Sequence, residues 1–174
     1  MIISCATGIT LSSIQESLGK VVPIFRAMPN TAAGVDESVT CICSENADDA
    51  QIERVKSLFS SIGLNILIQE ELMEAATVLG ACGIAFVCRF IRAMVQGGIE
   101  IGFDAKTANL IATQTVKGAT ELLLKNGLHP EEEIDKVTTP KGCTIAGLNQ
   151  MEHQGFSSAL IKGILTSFLQ IDKS

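Results

Sequence analysis

The sequence predicts an α/β layer followed by an all-α region, and three observations carry that prediction. Up to about residue 69, short apolar runs alternate with segments whose apolar residues recur every three or four positions. From Glu70 onward only the helical period is present, with breaks predicted at Gly97-Gly98, Gly127, Pro130, Pro140 and Gly155. The 174 residues, 47% of them hydrophobic, can bury a substantial core. The expected division is therefore residues 1–69 and residues 70–174.

Taken in order, Ile2 to Cys5 and Val21 to Ala27 read as short buried strands around a helix from Leu11 to Leu18, which Gly19 ends. Val39 to Cys43 is a third strand. Asn46-Ala47-Asp48-Asp49 opens a helix that carries Ile52, Val55, Leu58, Phe59 and Ile62 on one stripe, and Leu64 to Ile68 closes the set. Strands alternating with helices form a sheet with helical cover. Beyond Glu70, the segment Leu72 to Val95 is apolar on nearly every side, so it needs covering on every side. The helix after Asp104 has a stripe of mainly small residues, Ala108, Ile111, Ala112, Thr115, Ala119, Leu122 and Leu123, which lets another backbone approach closely. About 100 residues of helix do not easily bury both surfaces alone, so a second copy of the chain is the expected partner.

Charge and cysteine content narrow the functional classes. A net charge of -6 with pI near 4.9, and no basic cluster interleaved with aromatics, argues against a nucleic-acid partner. The six cysteines form no C-x-x-C pair and the two histidines are isolated, so neither a metal site nor a disulfide framework is expected, and the thiols are expected reduced and mostly buried. The uncharged run from Ala75 to Cys88 is shorter than the ~18 to 20 residues of a membrane span. With no signal-peptide pattern at Met1, the expectation is a soluble cytoplasmic protein. His129 before Pro130 and a run of glutamates reads as a helix entry, and His153 beside Glu152 as an exposed helix end.

The segment Thr138-Thr139-Pro140-Lys141-Gly142-Cys143-Thr144-Ile145-Ala146-Gly147-Leu148 combines a tight turn, a helix start and clustered hydroxyls. Unpaired N–H groups and the dipole at such a helix start favour a carboxylate or phosphate, and Thr139 and Thr144 add hydroxyl donors. An ordinary capped helix has the same local pattern.

Four blocks of the chain resemble the pyrroline-5-carboxylate reductases. They are Ser4 to Thr10 followed by Arg26-Ala27-Met28-Pro29-Asn30-Thr31; Glu71 to Leu79; Gln114 to Ala119; and Thr139 to Leu148 with Glu152 and Gly155-Phe156. The resemblance implies an incomplete Rossmann-type sheet layer joined to a helical dimerisation domain, and a homodimer formed through residues 70–174. It implies reduction of the cyclic imino acid 1-pyrroline-5-carboxylate to proline with NADPH or NADH. Thr139, Gly142, Cys143 and Thr144 would bind the substrate, with Thr144 as the catalytic contact near the ring nitrogen. Met28, Pro29, Asn30 and Thr77 would lie against the cofactor. No G-x-G-x-x-G occurs, so the chain is expected to be an amino-terminally truncated relative or part of a longer product. A non-catalytic dimerising relative is the alternative. Three positions depart from the family pattern: Gly80-Ala81-Cys82-Gly83-Ile84 replaces Ser-Gly-Ser-Gly-Pro, Lys141 replaces a glycine, and Ala32 replaces a proline.

Overall fold

The computed structural model describes residues 1–171. The chain divides into two compact units, Met1–Ala85 with the residues from Gly163 onward, and Phe86–Lys162.

In the first unit, four strands, β1 (Ile2–Ser4), β2 (Ile24–Met28), β3 (Ser38–Glu45) and β4 (Gly63–Leu67), form one sheet in the order β1-β2-β3-β4. The β1–β2 and β3–β4 pairs are parallel, and helices α1 (Leu11–Leu18) and α2 (Asp49–Phe59) make the crossovers. The middle pair is antiparallel, with Arg26 opposite Cys43 and Ala27 opposite Ile42.

Side-chain alternation along β2 builds two cores. Phe25 and Ala27 point to one face, where Ile42, Val55 and Phe59 bury them beneath α2. Ile24 points to the other, where Leu11, Cys43 and Met73 close over it beneath α1. Each large apolar side chain removed from water in this way contributes roughly 1.5–3 kcal/mol.

The caps explain where the helices begin. Thr10 accepts from Ser13 N at the start of α1, and Gly19 ends that helix in the left-handed region at φ 62°. Asp48 and Gln51 form a reciprocal capping box on α2, so within the Asn46-Ala47-Asp48-Asp49 opening Asp48 is the cap and Asp49 the first helical residue.

Strand limits shift for local reasons. β2 starts at Ile24 and not at Val21, because Val21 is exposed and Pro23 lacks a donor, although the Pro23 carbonyl accepts from Ile2 N at 2.9 Å. β3 runs to Glu45, longer than anticipated, because it pairs on both sides. β4 starts at Gly63, whose φ of 137° brings its backbone against Ser38, where a Cβ would overlap the Ser38 carbonyl.

Beyond β4 the chain is helical: α3 (Met73–Ala76), a π-helical turn (Thr77–Cys82), α4 (Gly83–Glu100), α5 (Ala105–Asn126), α6 (Pro130–Val137), α7 (Cys143–His153) and α8 (Phe156–Ile171). The break predicted at Gly97-Gly98 falls instead at Gly102, φ 114°. Gly98 lies inside α4 because it faces Ala108, where an added Cβ would stand 3.1 Å from the alanine Cβ. The small-residue stripe on α5 is split. Ala108 and Ala112 are buried with Val95 against Ile91 and Met94, while Ile111 and Leu122 face outward.

Two further expectations are corrected. All six thiols are free, but only Cys43 is buried, and Cys5, Cys88 and Cys143 are exposed. The apolar run is also part of a longer helical stretch, Glu70–Glu100, with mean hydropathy 1.9 over its most apolar window. By length and composition alone it is long enough to cross a membrane. His129 caps α6 through a box with Glu132, with Pro130 in the first turn, as a helix entry. Gly155, φ 79°, separates α7 from α8.

Candidate functional site

The predicted site residues fall into two groups, one in each compact unit. In the first unit, the parallel strands β1 and β2 end on the same edge of the sheet, so the loop Cys5–Thr10 and the segment Met28–Asn30 leave it side by side. Crevices at the carboxyl ends of such strands are where open α/β sheets take ligands. The Cys5–Thr10 loop is exposed, and Gly8 adopts a left-handed φ of 75°. Sequence reasoning proposed no site residue in this loop. The signal that identifies it is its position directly after a parallel strand.

Asn30 is bound on three sides. Its N–H donates to Ser38 Oγ at 3.0 Å, its Oδ1 accepts from Ala32 N at 2.9 Å, and its Nδ2 donates to Gly80 O at 3.1 Å. The bond to Ala32 N caps the short 3-10 helix Thr31–Val35, and a proline at residue 32 would have no hydrogen for it. Gly80 belongs to the π-helical turn, so Asn30 ties the crevice segment to an irregular stretch of helix. Thr77, at the head of that turn, is buried, and its hydroxyl donates to Met73 O at 2.8 Å. Its oxygen can still accept. Met28 and Pro29 are half-buried, with Met28 packed on the core beneath α1.

An ionic cluster lies on the α1 side of the sheet. Arg26, buried within β2, donates through Nη1 to Glu70 Oε1 at 2.9 Å and through Nη2 to Glu74 Oε1 at 3.1 Å. Burial pulls the guanidinium pKa down, but hydrogen bonds to the two carboxylates outweigh burial and hold it above its ordinary value. Arg26 Nε is buried and has no hydrogen-bond partner among the described residues. The Cys43 thiol opposite is pushed up to about 11, first by burial and then by the charge of Glu70. The cluster has a sequence signal that was missed: one arginine inside an apolar strand, and two glutamates four residues apart at a helix start.

In the second unit, Thr139 to Gly142 form a turn in which Gly142 N donates to Thr139 O at 2.9 Å. Pro140 takes the second position and Lys141 the third with φ 60°, the arrangement of a type II turn. Gly142 is the N-cap of α7, and a Cβ there would stand 2.5 Å from Thr139 Oγ1 and 3.0 Å from Thr139 O. Glycine is therefore required at 142 for space, while the left-handed backbone falls on Lys141. No side chain caps the helix. Cys143 and Thr144 are its first two residues and both are exposed, so their N–H groups open to solvent. The structure thus brings Thr139, Gly142, Cys143 and Thr144 together around one open helix mouth.

A mixed four-stranded sheet with helical crossovers, continued into a long helical region, defines a Rossmann-type layer joined to a helical domain. Comparison with known proteins makes the assignment specific. The family model for pyrroline-5-carboxylate reductase dimerisation matches residues 70–173. Pyrroline-5-carboxylate reductase 1 of Dictyostelium discoideum is 55% identical over 179 residues, covering 96% of this chain and 32% of that protein. Pyrroline-5-carboxylate reductase 2 of the same organism is 49% identical, covering all of this chain and 63% of the relative. The crystal structure of Plasmodium falciparum pyrroline carboxylate reductase with NADP bound superposes with a TM-score of 0.90 at 27% identity, over 97% of this chain and 68% of that one. The chain belongs to the pyrroline-5-carboxylate reductase family. It spans about a third to just under two thirds of the length of these two curated relatives.

Proposed function

We propose that this chain supplies the imino-acid berth, the dimerising helices and the nicotinamide-side loops of an enzyme that reduces 1-pyrroline-5-carboxylate to proline in proline biosynthesis. The observation that carries this reading is the uncapped mouth of α7, with Cys143 and Thr144 exposed, in a chain of this family. A planar carboxylate fits there between the Cys143 and Thr144 N–H groups and the Thr139 hydroxyl. The Thr144 hydroxyl then orients the ring nitrogen and donates to it as charge changes there.

NADPH or NADH, when bound, supplies the hydride for the imine carbon. The residues present fit the nicotinamide end of such a cofactor. The exposed Cys5–Thr10 loop, with Gly8 at positive φ, allows close backbone approach, and Met28 and Pro29 form a half-buried apolar shelf beside it. Asn30 holds that shelf through its three hydrogen bonds, and the Thr77 oxygen remains an acceptor at the head of the π-helical turn.

The partner is a second copy of the chain, joined through residues 70–174. The family match beginning at residue 70 supports both the dimer and a functional division between residues 69 and 70. The outward apolar face of Glu70–Glu100 is then covered by protein, consistent with a cytoplasmic enzyme that needs neither a membrane nor nucleic acid.

A second reading, a dimerising relative that does not turn over, is favoured by the side-chain amide of Asn30, whose Nδ2 and Oδ1 are both engaged within the chain by Gly80 O and Ala32 N. One assay separates the two. The purified chain is expected to oxidise NADPH in the presence of pyrroline-5-carboxylate; no oxidation and no NADPH binding would leave the scaffold reading.

A further inference from the structure

We propose that Glu70 is a positioning residue for the cofactor crevice: one of its carboxylate oxygens locks both crevice loops to the start of the long helical stretch. The inference rests on the reductase reading above for its consequence, and on geometry for its substance.

Glu70 Oε1 accepts from Leu11 N at 2.7 Å and from Arg26 Nη1 at 2.9 Å. Leu11 is the first residue of α1, directly after the Cys5–Thr10 loop, and Arg26 lies two residues before Met28 on β2. One oxygen therefore joins the residue that follows one crevice loop to the strand that leads into the other. The two donors differ in what else holds them. Thr10, the cap of α1, spends its side-chain acceptor on Ser13 N, leaving the Leu11 N–H to Glu70. Arg26 is buried, and among the described residues its ion pairs are with Glu70 through Nη1 and Glu74 through Nη2.

Glu74 provides an internal control. It shares the arginine through Nη2 but makes no bond to Leu11. Loss of Glu74 therefore reports on the Arg26 end alone, whereas loss of Glu70 also frees the Leu11 N–H that follows the Cys5–Thr10 loop. The second tie, Asn30 Nδ2 to Gly80 O, extends the same registration to the far end of the second loop.

The test is amide hydrogen exchange on the full 174-residue chain, read in peptides covering residues 5–11 and 27–32, with α5 and α6 peptides as the folded reference. Glu70→Ala is expected to speed exchange by about tenfold in both crevice peptides, and Glu74→Ala only in the 27–32 peptide. Glu70→Gln, which keeps an acceptor oxygen in place, should stay within about threefold of wild type. Should Glu70→Ala not fold by circular dichroism, Glu70→Asp carries the same comparison, since it keeps the charge but withdraws the oxygen by one methylene. Unchanged exchange at 5–11 on loss of the Glu70 contact, or equal effects of the two glutamates, would overturn the proposal. With NADPH and pyrroline-5-carboxylate, Glu70→Ala should raise the KM for NADPH by about tenfold while the KM for the imino acid stays within about twofold, and Glu70→Gln should restore it. A wild-type chain without turnover overturns the reductase reading alone, and the exchange comparison still decides the role of Glu70.

Discussion

At the scale of single residues, the α7 mouth is shaped by two neighbours with opposite requirements. Gly142 sits in an ordinary extended conformation, φ -72°, and is glycine because Thr139 fills the space where a Cβ would go. Lys141 occupies the left-handed region at φ 60°, a conformation that costs an L-residue on the order of 1 kcal/mol relative to glycine. Lys141→Gly is therefore expected to stabilise the chain by about 1 kcal/mol, an increase of roughly 2–4 °C in Tm by calorimetry. An unchanged or lowered Tm would show that the lysine side chain makes up for its backbone.

The same scale settles the cysteines. Buried Cys43, pushed up to about 11 from an ordinary 9.0, stays protonated in the fold where the unfolded chain has lost its proton. The unfolded state then binds fewer protons, so stability is full below pH 9 and falls as pH rises toward about 11. Denaturant titrations across that interval check the sign. Cys43→Ala should flatten the decline, and alkylation of the native chain should reach exposed Cys5, Cys88 and Cys143 first.

At the scale of elements, β3 and β4 show how one backbone position sets a register. Gly63 opens β4 with φ 137°, pressed against Ser38, the residue it pairs with. Gly63→Ala would place a Cβ inside the Ser38 carbonyl and 2.5 Å from its nitrogen, so the pair must separate. The expected cost is on the order of 3 kcal/mol, read as a lower urea midpoint with an unchanged slope. Parallel pairing leaves no adjacent turn to restore the register, unlike a hairpin. The π-helical turn is the complementary case. Its irregular register presents the Gly80 carbonyl to Asn30, so a departure from regular helix is what links helix to crevice.

At the scale of the whole molecule, apolar surface remains after each unit has formed its own core. In the second unit alone, Ile101, Leu110 and Leu124 are each more than two thirds exposed. Single exposed leucines are common, but apolar residues this exposed in the turn after α4 and along α5 fit the homodimer proposed above. Sedimentation is expected to give a dimer at micromolar concentration. Leu110→Glu, in the second turn of α5, should shift it to monomer by placing a charge in the proposed interface. A monomeric wild-type chain would remove the homodimer from the reading.

Much of this protein was legible in the sequence because local physics dominates there. The change from strand-helix alternation to purely helical periods near residue 69, the Leu11–Leu18 helix with its glycine stop, and the Pro140–Thr144 turn into α7 all follow from periodicity and capping chemistry, which act over a few residues. The tertiary structure decided what depends on residues far apart in the chain. Gly97-Gly98 stays helical because Ala108 lies against it, Asn30 is held by a carbonyl fifty residues away, and Arg26 is neutralised by glutamates that follow two more strands. The reason is the reach of the forces. A cap or a hydrophobic period is complete within one or two turns of chain, whereas a buried charge or close backbone approach is defined only once the fold has brought its partner to it.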